Sequence, residues 1–122
     1  MKITCVENDA DGRSRFREWD IPLVPSGDIG ALSALVPVTG VIFRETGGDY
    51  DYDWHRAPQR QFIVLLDGEI EIETGSGEIR RFRGGEILLV SDTEGRGHRT
   101  RSVDGRLRRS LFLPLAPAAA SP

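Results

Sequence analysis

The chain contains two histidines, His55 and His98, and they are the side chains best suited to acid–base chemistry near neutral pH. A neutral imidazole can take a proton from a substrate, or bind a transition metal through its unprotonated nitrogen. Gln61 lies in the same segment as His55, and its amide could orient a carbonyl or hydroxyl group of a ligand. For either histidine alone, the alternative is an imidazole bonded to the backbone in a loop or core. His55, Gln61 and His98 are therefore candidate site residues, with the histidines as candidate catalytic residues.

Three aromatic residues precede His55 in the segment GGDYDYDWH. Tyr50 and Tyr52 have the same parity, so their hydroxyl groups could face an oxygen-rich ligand together, or the rings could only pack. Trp54 could form a wall of the pocket, or it could lie at the rim or in a dimer interface. All three are candidate substrate-binding residues.

Arg44 is the candidate that would select a charged ligand. Arg44 lies two residues after Ile42, so in a strand the two side chains point to the same face. If that face is inward, the guanidinium lies inside the fold. A buried guanidinium needs an anion or several acceptors, so an inward Arg44 would suggest a substrate with a carboxylate group. The pattern slightly favours the alternative, in which Val41 and Phe43 point inward and Arg44 is exposed.

Length and composition limit the classes of protein that these residues can serve. With 122 residues, 39% of them apolar and 29% charged, the chain suits one globular domain over residues 1–122 and is short for two. No apolar run approaches the roughly 18 residues that cross a bilayer, and the first residues lack the apolar stretch of a secretion signal. The net charge of −3 offers no general attraction to nucleic acid. We therefore expect a cytoplasmic protein whose partners include neither nucleic acid nor a membrane.

Two further features have simple structural explanations. Cys5 is the only cysteine, so the chain forms no internal disulfide, and we expect it to be a small core residue near an N-terminal strand. Six arginines lie between Arg96 and Arg109 and could form a phosphate-binding patch. Because Arg99 and Arg101 share one side of an alternating run, we predict instead that the arginines form a solvated outer face.

Short apolar runs separated by turn residues predict an all-β fold. The chain has 14 glycines and 7 prolines, which fall between strand-like segments. Residues 36–46 are predicted as one strand that is distorted at Gly40, and the segment QFIVLLDG as a strand buried on both faces. The alternation in GEIEIETG places Ile70 and Ile72 inward and the glutamates in water.

Turn signals between these runs predict a meander of at least six antiparallel strands from Val36 to Leu115. Asp67-Gly68 is the dipeptide typical of a type I′ hairpin turn, and Asp104-Gly105 is a second hairpin signal. Glycine-rich turns at residues 75–77 and 84–85 separate the strands between them.

Helix is scarce in the sequence. At most one short helix is predicted, near residues 26–36, with Ser26 or Asp28 as its cap and Ile29, Leu32 and Leu35 on one face. The tail, residues 116–122, is rich in proline and alanine, so we expect it to be flexible.

The two histidine segments resemble the paired motifs of the cupin superfamily, G(x)5HxH(x)3-4E(x)6G and G(x)5PxG(x)2H(x)3N. In the first motif His55, Gln61 and Gly68 match in spacing, with Ala57 in place of the second histidine and glutamine in place of the acid. In the second motif Gly85-Glu86, Gly95 and His98 correspond, whereas Thr93 replaces the proline and Ser102 replaces the asparagine. The stretch from Gly85 to Gly95 is two residues longer than the pattern.

The resemblance implies a double-stranded β-helix, a jelly-roll barrel with its core at about residues 36–115 and a binding site at its mouth. It implies one divalent transition metal (Mn, Fe, Ni or Zn) held by His55, Gln61 and His98, to which Asp49, Asp51 or Asp53 could add a carboxylate. Such a protein would bind a small polar organic molecule and act as an isomerase, lyase or dioxygenase. The alternative is a non-catalytic, metal-free ligand-binding module. Cupins often pair, so a homodimer is expected, with a monomer as the alternative.

Overall fold

The protein is built from short β-strands and one turn of 3-10 helix, Gly27–Ile29. The computed structural model describes residues 1–117. Its strands are β1 (Lys2–Asn8), β2 (Ser14–Asp20), β3 (Val24–Pro25), β4 (Ala31–Leu32), β5 (Ile42–Thr46), β6 (Asp51–His55), β7 (Gln61–Leu65), β8 (Glu69–Glu73), β9 (Ile79–Arg83), β10 (Ile87–Val90), β11 (His98–Ser102) and β12 (Arg108–Pro114). The predicted flexible tail lies partly outside the described residues, at 118–122.

Two sheets form the barrel. The larger has the strand order β2-β1-β10-β7-β12-β5 and the smaller has the order β6-β11-β8-β9, while β3 and β4 pair separately. From β5 onward the chain passes back and forth between the sheets, and only β8 and β9 are consecutive strands in the same one. This alternation is the jelly-roll arrangement, so the predicted all-β jelly-roll fold is confirmed.

The core lies between the two sheets because the strands turn their apolar residues inward. Ile70 and Ile72 on β8 are 3% and 1% exposed, as their alternation with glutamate predicts. They pack in one cluster with residues of the larger sheet and of β9, including Val6, Leu65, Phe82, Leu88 and Val90. Cys5 is fully buried as expected, and burial raises the pKa of its thiol to about 11.

The predicted meander is wrong, because most turn signals carry the chain from one sheet to the other. Asp67-Gly68 joins β7 to β8 and Asp104-Gly105 precedes β12, and in both cases the flanking strands lie in different sheets. Asp67 does not adopt the positive φ that a type I′ turn requires, whereas Gly68 has φ of 74°. Of the predicted turns, only the one at residues 75–77 closes a hairpin, between β8 and β9.

The N-terminal third differs from the prediction in detail. The strand predicted over residues 36–46 begins only at Ile42, and Val38 forms an isolated bridge to Leu115. The 3-10 turn falls within the predicted helical segment, but Ile29 and Leu35 are exposed rather than packed. β1 and β2, which precede the predicted core, form one end of the larger sheet, with β2 as its edge strand. β1 pairs in parallel with β10.

Within residues 1–117, no helix is long and apolar enough to cross a membrane.

Candidate functional site

A cavity of about 390 Å³ opens between the two sheets. Its walls come from both sheets, with apolar side chains such as Ile63, Ile72 and Val90 and a smaller number of polar ones. This composition is typical of small-molecule sites. Six of the seven residues assigned a site role from sequence line it, namely Arg44, Tyr50, Tyr52, His55, Gln61 and His98.

The two histidines meet because their strands are neighbours. β6 and β11 pair antiparallel, with His55 directly opposite His98, and the ring centroids are 4.6 Å apart. Gly97 permits this approach, because a Cβ at that position would collide with the carbonyl oxygen of His55, and its φ of 82° also favours glycine. The backbone therefore brings together two imidazoles that are distant in sequence.

A bulge in β6 turns tyrosine toward the same cavity. The register shifts so that the four residues from Tyr52 to His55 oppose the three from His98 to Thr100. The Tyr52 ring consequently lies edge-on to His55, with centroids 4.2 Å apart, and Tyr50 stacks on Tyr52 at 5.9 Å. The aspartate and tyrosine segment thus forms strand β6 from Asp51 to His55.

Trp54 does not line the cavity, in contrast to its assignment as a substrate-binding residue. It neighbours His55 on β6 and therefore points to the opposite face. There the guanidinium of Arg96 lies over its ring, 3.8 Å from the centroid. The contact is a cation–π interaction on the outside of the barrel.

In each histidine Nδ1 forms a hydrogen bond with a residue that does not line the cavity. His98 Nδ1 donates a hydrogen bond to Asp92 Oδ2 at 2.5 Å, and the Asp92 side chain is fully buried. His55 Nδ1 donates to the backbone carbonyl of Asp53 at 2.8 Å, since a carbonyl only accepts. In both rings Nε2 is therefore left as the nitrogen available to a ligand.

Burial lowers the pKa of His55, and the positive charges of His98 and Arg44 act in the same direction. The Asp53 carbonyl and the charge of Asp92 oppose the shift only partly. His55 consequently favours its neutral form, which is the form that accepts a proton or binds a metal.

The two predicted motif segments are tied together next to this pair. Ala57, at the position of the motif's second histidine, is buried and lines the cavity, and its N–H donates to the carbonyl of Asp92 at 3.0 Å. Gln61 is 5% exposed and also lines the cavity, from β7. The alanine contributes no donor atom where the cupin pattern has an imidazole.

The side chains present do not fit a resident divalent metal well. Among residues 1–117 no group of three His, Cys, Asp or Glu side chains is placed to hold one. Asp51, which the sequence offered as an alternative ligand, lies 4.0 Å from Arg99 on the outer face. Two imidazoles and the neutral amide of Gln61 remain, without the carboxylate that usually completes such a set.

Two arginines add positive charge to the cavity wall. The inference favoured for Arg44 was wrong: Arg44 lines the cavity, whereas Phe43 is 79% exposed. Arg108, predicted to lie on the solvated outer face, is 6% exposed and also lines the cavity. The prediction is confirmed for Arg99 and Arg101, which point away from it.

Sequence reasoning missed four residues of this site: Thr46, Asp92, Arg108 and Ser110. Arg108 and Arg109 are adjacent on one strand, so one of them had to point inward, and the shared parity of Arg108, Ser110 and Phe112 was the available signal. Asp92 lies in a loop after β10, where no periodicity indicates its direction.

Solved structures with low sequence identity resemble the fold. SPY1581, a conserved protein of unknown function from Streptococcus pyogenes, gives a TM-score of 0.50 at 18% identity, over 73% of this chain and 72% of that one. NMB1881 from Neisseria meningitidis gives 0.49 at 18% identity, over 80% and 84% of the two chains. The Cnp3 cupin domain of Schizosaccharomyces pombe gives 0.49 at 13%, over 94% and 88%. No family model and no curated protein matches the chain.

Proposed function

We propose that this protein binds a small polar organic molecule in the barrel cavity and catalyses proton transfer on it without a metal. The observation that carries the proposal is the hydrogen bond between His98 Nδ1 and the buried carboxylate of Asp92. Such a carboxylate holds an imidazole in one tautomer and stabilises the imidazolium that forms at Nε2. The His55 ring, 4.6 Å away, supplies a second imidazole, whose pKa is lowered by burial.

The two rings suit an isomerisation that passes through an enol. Neutral His55 removes a proton from a carbon next to a carbonyl group, while the imidazolium of His98 protonates the carbonyl oxygen. In the second half His55 gives its proton to the former carbonyl carbon. His98 then takes a proton from the hydroxyl group on the carbon that was deprotonated first. Protons and electrons balance, so no oxidant or reductant is needed. Asp92 acts as a positioning residue, and Gln61 orients the substrate from the wall.

Deuterium exchange tests this proposal without knowledge of the natural substrate. In D2O the protein should accelerate the exchange of C–H protons in one or more small 2-hydroxy ketones or 2-oxo acids, followed by NMR. His55→Gln and His98→Gln should each lower the exchange rate about 100-fold or more. Arg99→Gln is the matched control, because Arg99 follows His98 on β11 but faces outward.

Failure of the exchange test would favour the other class of function. If compounds bind in the cavity and none exchanges, the protein is a non-catalytic ligand-binding module. If exchange persists in both histidine variants, the roles proposed for His55 and His98 are wrong.

Metal analysis tests the competing metal-dependent proposal, which the close approach of the two imidazole rings favours. Untagged protein produced with added manganese, iron, nickel and zinc should contain well below ~0.2 metal ions per chain. The reason is that the two imidazoles lack a carboxylate as third ligand. One ion per chain that is lost in His98→Ala would contradict the metal-free proposal. His55, Gln61 and His98 would then be the metal ligands.

We also propose that the protein forms a homodimer through its exposed apolar edge. β5 ends the larger sheet, so one side of this strand has no partner there. Phe43 on β5 is 79% exposed. Light scattering should give twice the chain mass, and Phe43→Lys should shift it toward the monomer. A monomeric wild-type protein would contradict this.

A further inference from the structure

Four polar side chains form a block on the inner face of the larger sheet. In the β12–β5 register, Arg108 is opposite Thr46 and Ser110 is opposite Arg44. Directly opposed residues on antiparallel strands share a face, and positions two apart on one strand share it too. All four line the cavity. The block therefore presents two guanidinium groups and two hydroxyl groups to the same space.

The two guanidiniums have no acidic partner. Within the described part of the chain neither Arg44 nor Arg108 forms an ion pair. Other arginines take part in most of the ion pairs there. Arg108 is 6% exposed, and its side-chain hydrogen bond is to the hydroxyl of Ser102 at 2.6 Å. A buried guanidinium has five N–H donors, and leaving most of them without an acceptor is costly.

A hydroxyl group in the same block is also without a partner. Thr46 is 6% exposed, and its Oγ1 is one of two buried side-chain polar atoms in residues 1–117 that have no hydrogen-bond partner. Its position opposite Arg108 places it within the block rather than elsewhere in the core. Thr46 can donate a hydrogen bond to an acceptor in the cavity.

Aromatic rings fix the orientation of both guanidiniums. Arg44 lies over Tyr50 and Phe112, with its guanidinium carbon 5.5 and 5.1 Å from the ring centroids. Arg108 lies over Tyr50 as well, at 5.0 Å. Rings at the faces of planar guanidiniums leave their N–H edges to bind ligands, and those edges match the two oxygens of a carboxylate.

We propose that Arg44, Thr46, Arg108 and Ser110 form an anion subsite that binds the carboxylate group of a small organic acid. The inference rests on the proposed function, because it names the class of substrate that the His55–His98 pair acts on. The carboxylate lies against the larger sheet, and the histidines approach the rest of the molecule from the smaller sheet. A 2-oxo acid has both a carboxylate and an acidic C–H bond on the carbon next to its carbonyl group, so it satisfies both ends of the cavity.

Calorimetric titration with malonate tests the subsite. Malonate should bind to wild-type protein, and glycerol, an uncharged molecule of similar size, should bind at least about tenfold more weakly. Arg108→Met and Arg44→Met should each weaken malonate binding about tenfold or more. Arg109→Met is the matched control, since this arginine follows Arg108 but lies outside, and it should bind malonate as the wild type does.

A milder variant protects the test against misfolding. Thr46→Val keeps the side-chain shape and removes only the hydroxyl, so it should fold and should weaken malonate binding several-fold. The inference is overturned if malonate binds no better than glycerol, or if inorganic phosphate binds at least tenfold more tightly than malonate. Unchanged malonate affinity in Arg108→Met or in Thr46→Val would also overturn it.

Failure of the subsite and failure of the proposed function give different results. His98→Gln leaves the arginine block intact, so it should bind malonate normally while deuterium exchange is lost. Normal exchange on neutral 2-hydroxy ketones with no malonate binding would remove the subsite and retain the proton transfer.

Discussion

Arg108 and Arg109 are consecutive residues on β12 with opposite environments. The Arg109 side chain is 62% exposed, and its Nε donates to Asp67 Oδ2 at 2.8 Å. Arg108 is buried against Tyr50, with a neutral hydroxyl as its hydrogen-bond partner. The pKa of Arg108 is lowered by burial and by the charge of Arg44, whereas the pKa of Arg109 is raised by its hydrogen bond to Asp67. These two adjacent residues of β12 therefore differ in their charge partners. Arg109 forms an ion pair with Asp67, whereas Arg108 forms no ion pair within residues 1–117.

The same contrast holds between the outer face of the smaller sheet and the inner face of the larger sheet. On the outer face the carboxylate of Glu71 forms ion pairs with Arg81 and Arg101, at N–O distances of 3.2 and 2.8 Å. Both arginine side chains are exposed. Such exposed pairs contribute about 0–1 kcal/mol each, and they cost little because solvent compensates the charges. The inner face has no such compensation, so an inward arginine lowers stability unless something binds it. Outer charges are thus explained by solubility, and the proposed carboxylate ligand would account for the inner ones.

The largest effect should come from removing an inward apolar side chain. Phe82→Ala should lower the free energy of unfolding by about 3–5 kcal/mol, because Phe82 is 5% exposed in the core cluster and contacts Phe16. Arg83→Ala, the next residue on β9 and exposed, should change it by less than about 0.5 kcal/mol. Urea denaturation measures both. Equal effects would show that β9 does not separate an inner from an outer face.

Replacing the inward arginine should stabilise the ligand-free protein. Arg108→Met should raise the free energy of unfolding by about 1–3 kcal/mol, because an unpaired buried charge is exchanged for an apolar chain of similar length. Arg109→Met should change it by less than about 1 kcal/mol, since it removes only an exposed pair. A loss of stability in Arg108→Met as large as the gain expected would mean that the fold itself requires the guanidinium.

His55 should make stability fall as the pH drops below about 6.5. The folded-state pKa of His55 lies below the ordinary value of 6.5, mainly through burial, so the unfolded chain takes up the proton first. Stability is therefore fully present above pH 6.5 and decreases from there down to the folded pKa. The loss between pH 7.5 and 5.5 should be smaller in His55→Gln than in the wild type. An NMR titration that places the His55 pKa above 6.5 would refute this.

The smallest effect should come from the outer charges. Glu71→Gln should cost about 1 kcal/mol or less at low salt, and the difference from wild type should shrink in about 1 M sodium chloride through screening. The hydrogen bonds from Arg101 and Arg81 lower the pKa of Glu71, so its contribution is lost only as the pH falls below the ordinary value of 4.5. A difference that persists in high salt would indicate that Glu71 acts through packing.

Much of the fold was predictable because strand alternation is a local property. Ile70 and Ile72 alternate with glutamates, and this pattern alone determined which side of β8 is buried. The pairing of strands was not predictable from the turns, since Asp67-Gly68 allows the chain to reverse but does not select its partner. Glycine spacing around His55 and His98 pointed to one shared site through a family pattern, and not through any local contact.

By itself, the sequence determined that the protein is all β, which residues of β8 face inward, and which side chains can carry a proton. The tertiary structure decided that His55 and His98 are opposite one another, that Asp92 supports one of them, and that Arg44 and Arg108 share a wall of the cavity. The physical reason is range. Alternation acts over a few residues, whereas the closing of two sheets into a barrel sets the distances between residues that are far apart along the chain.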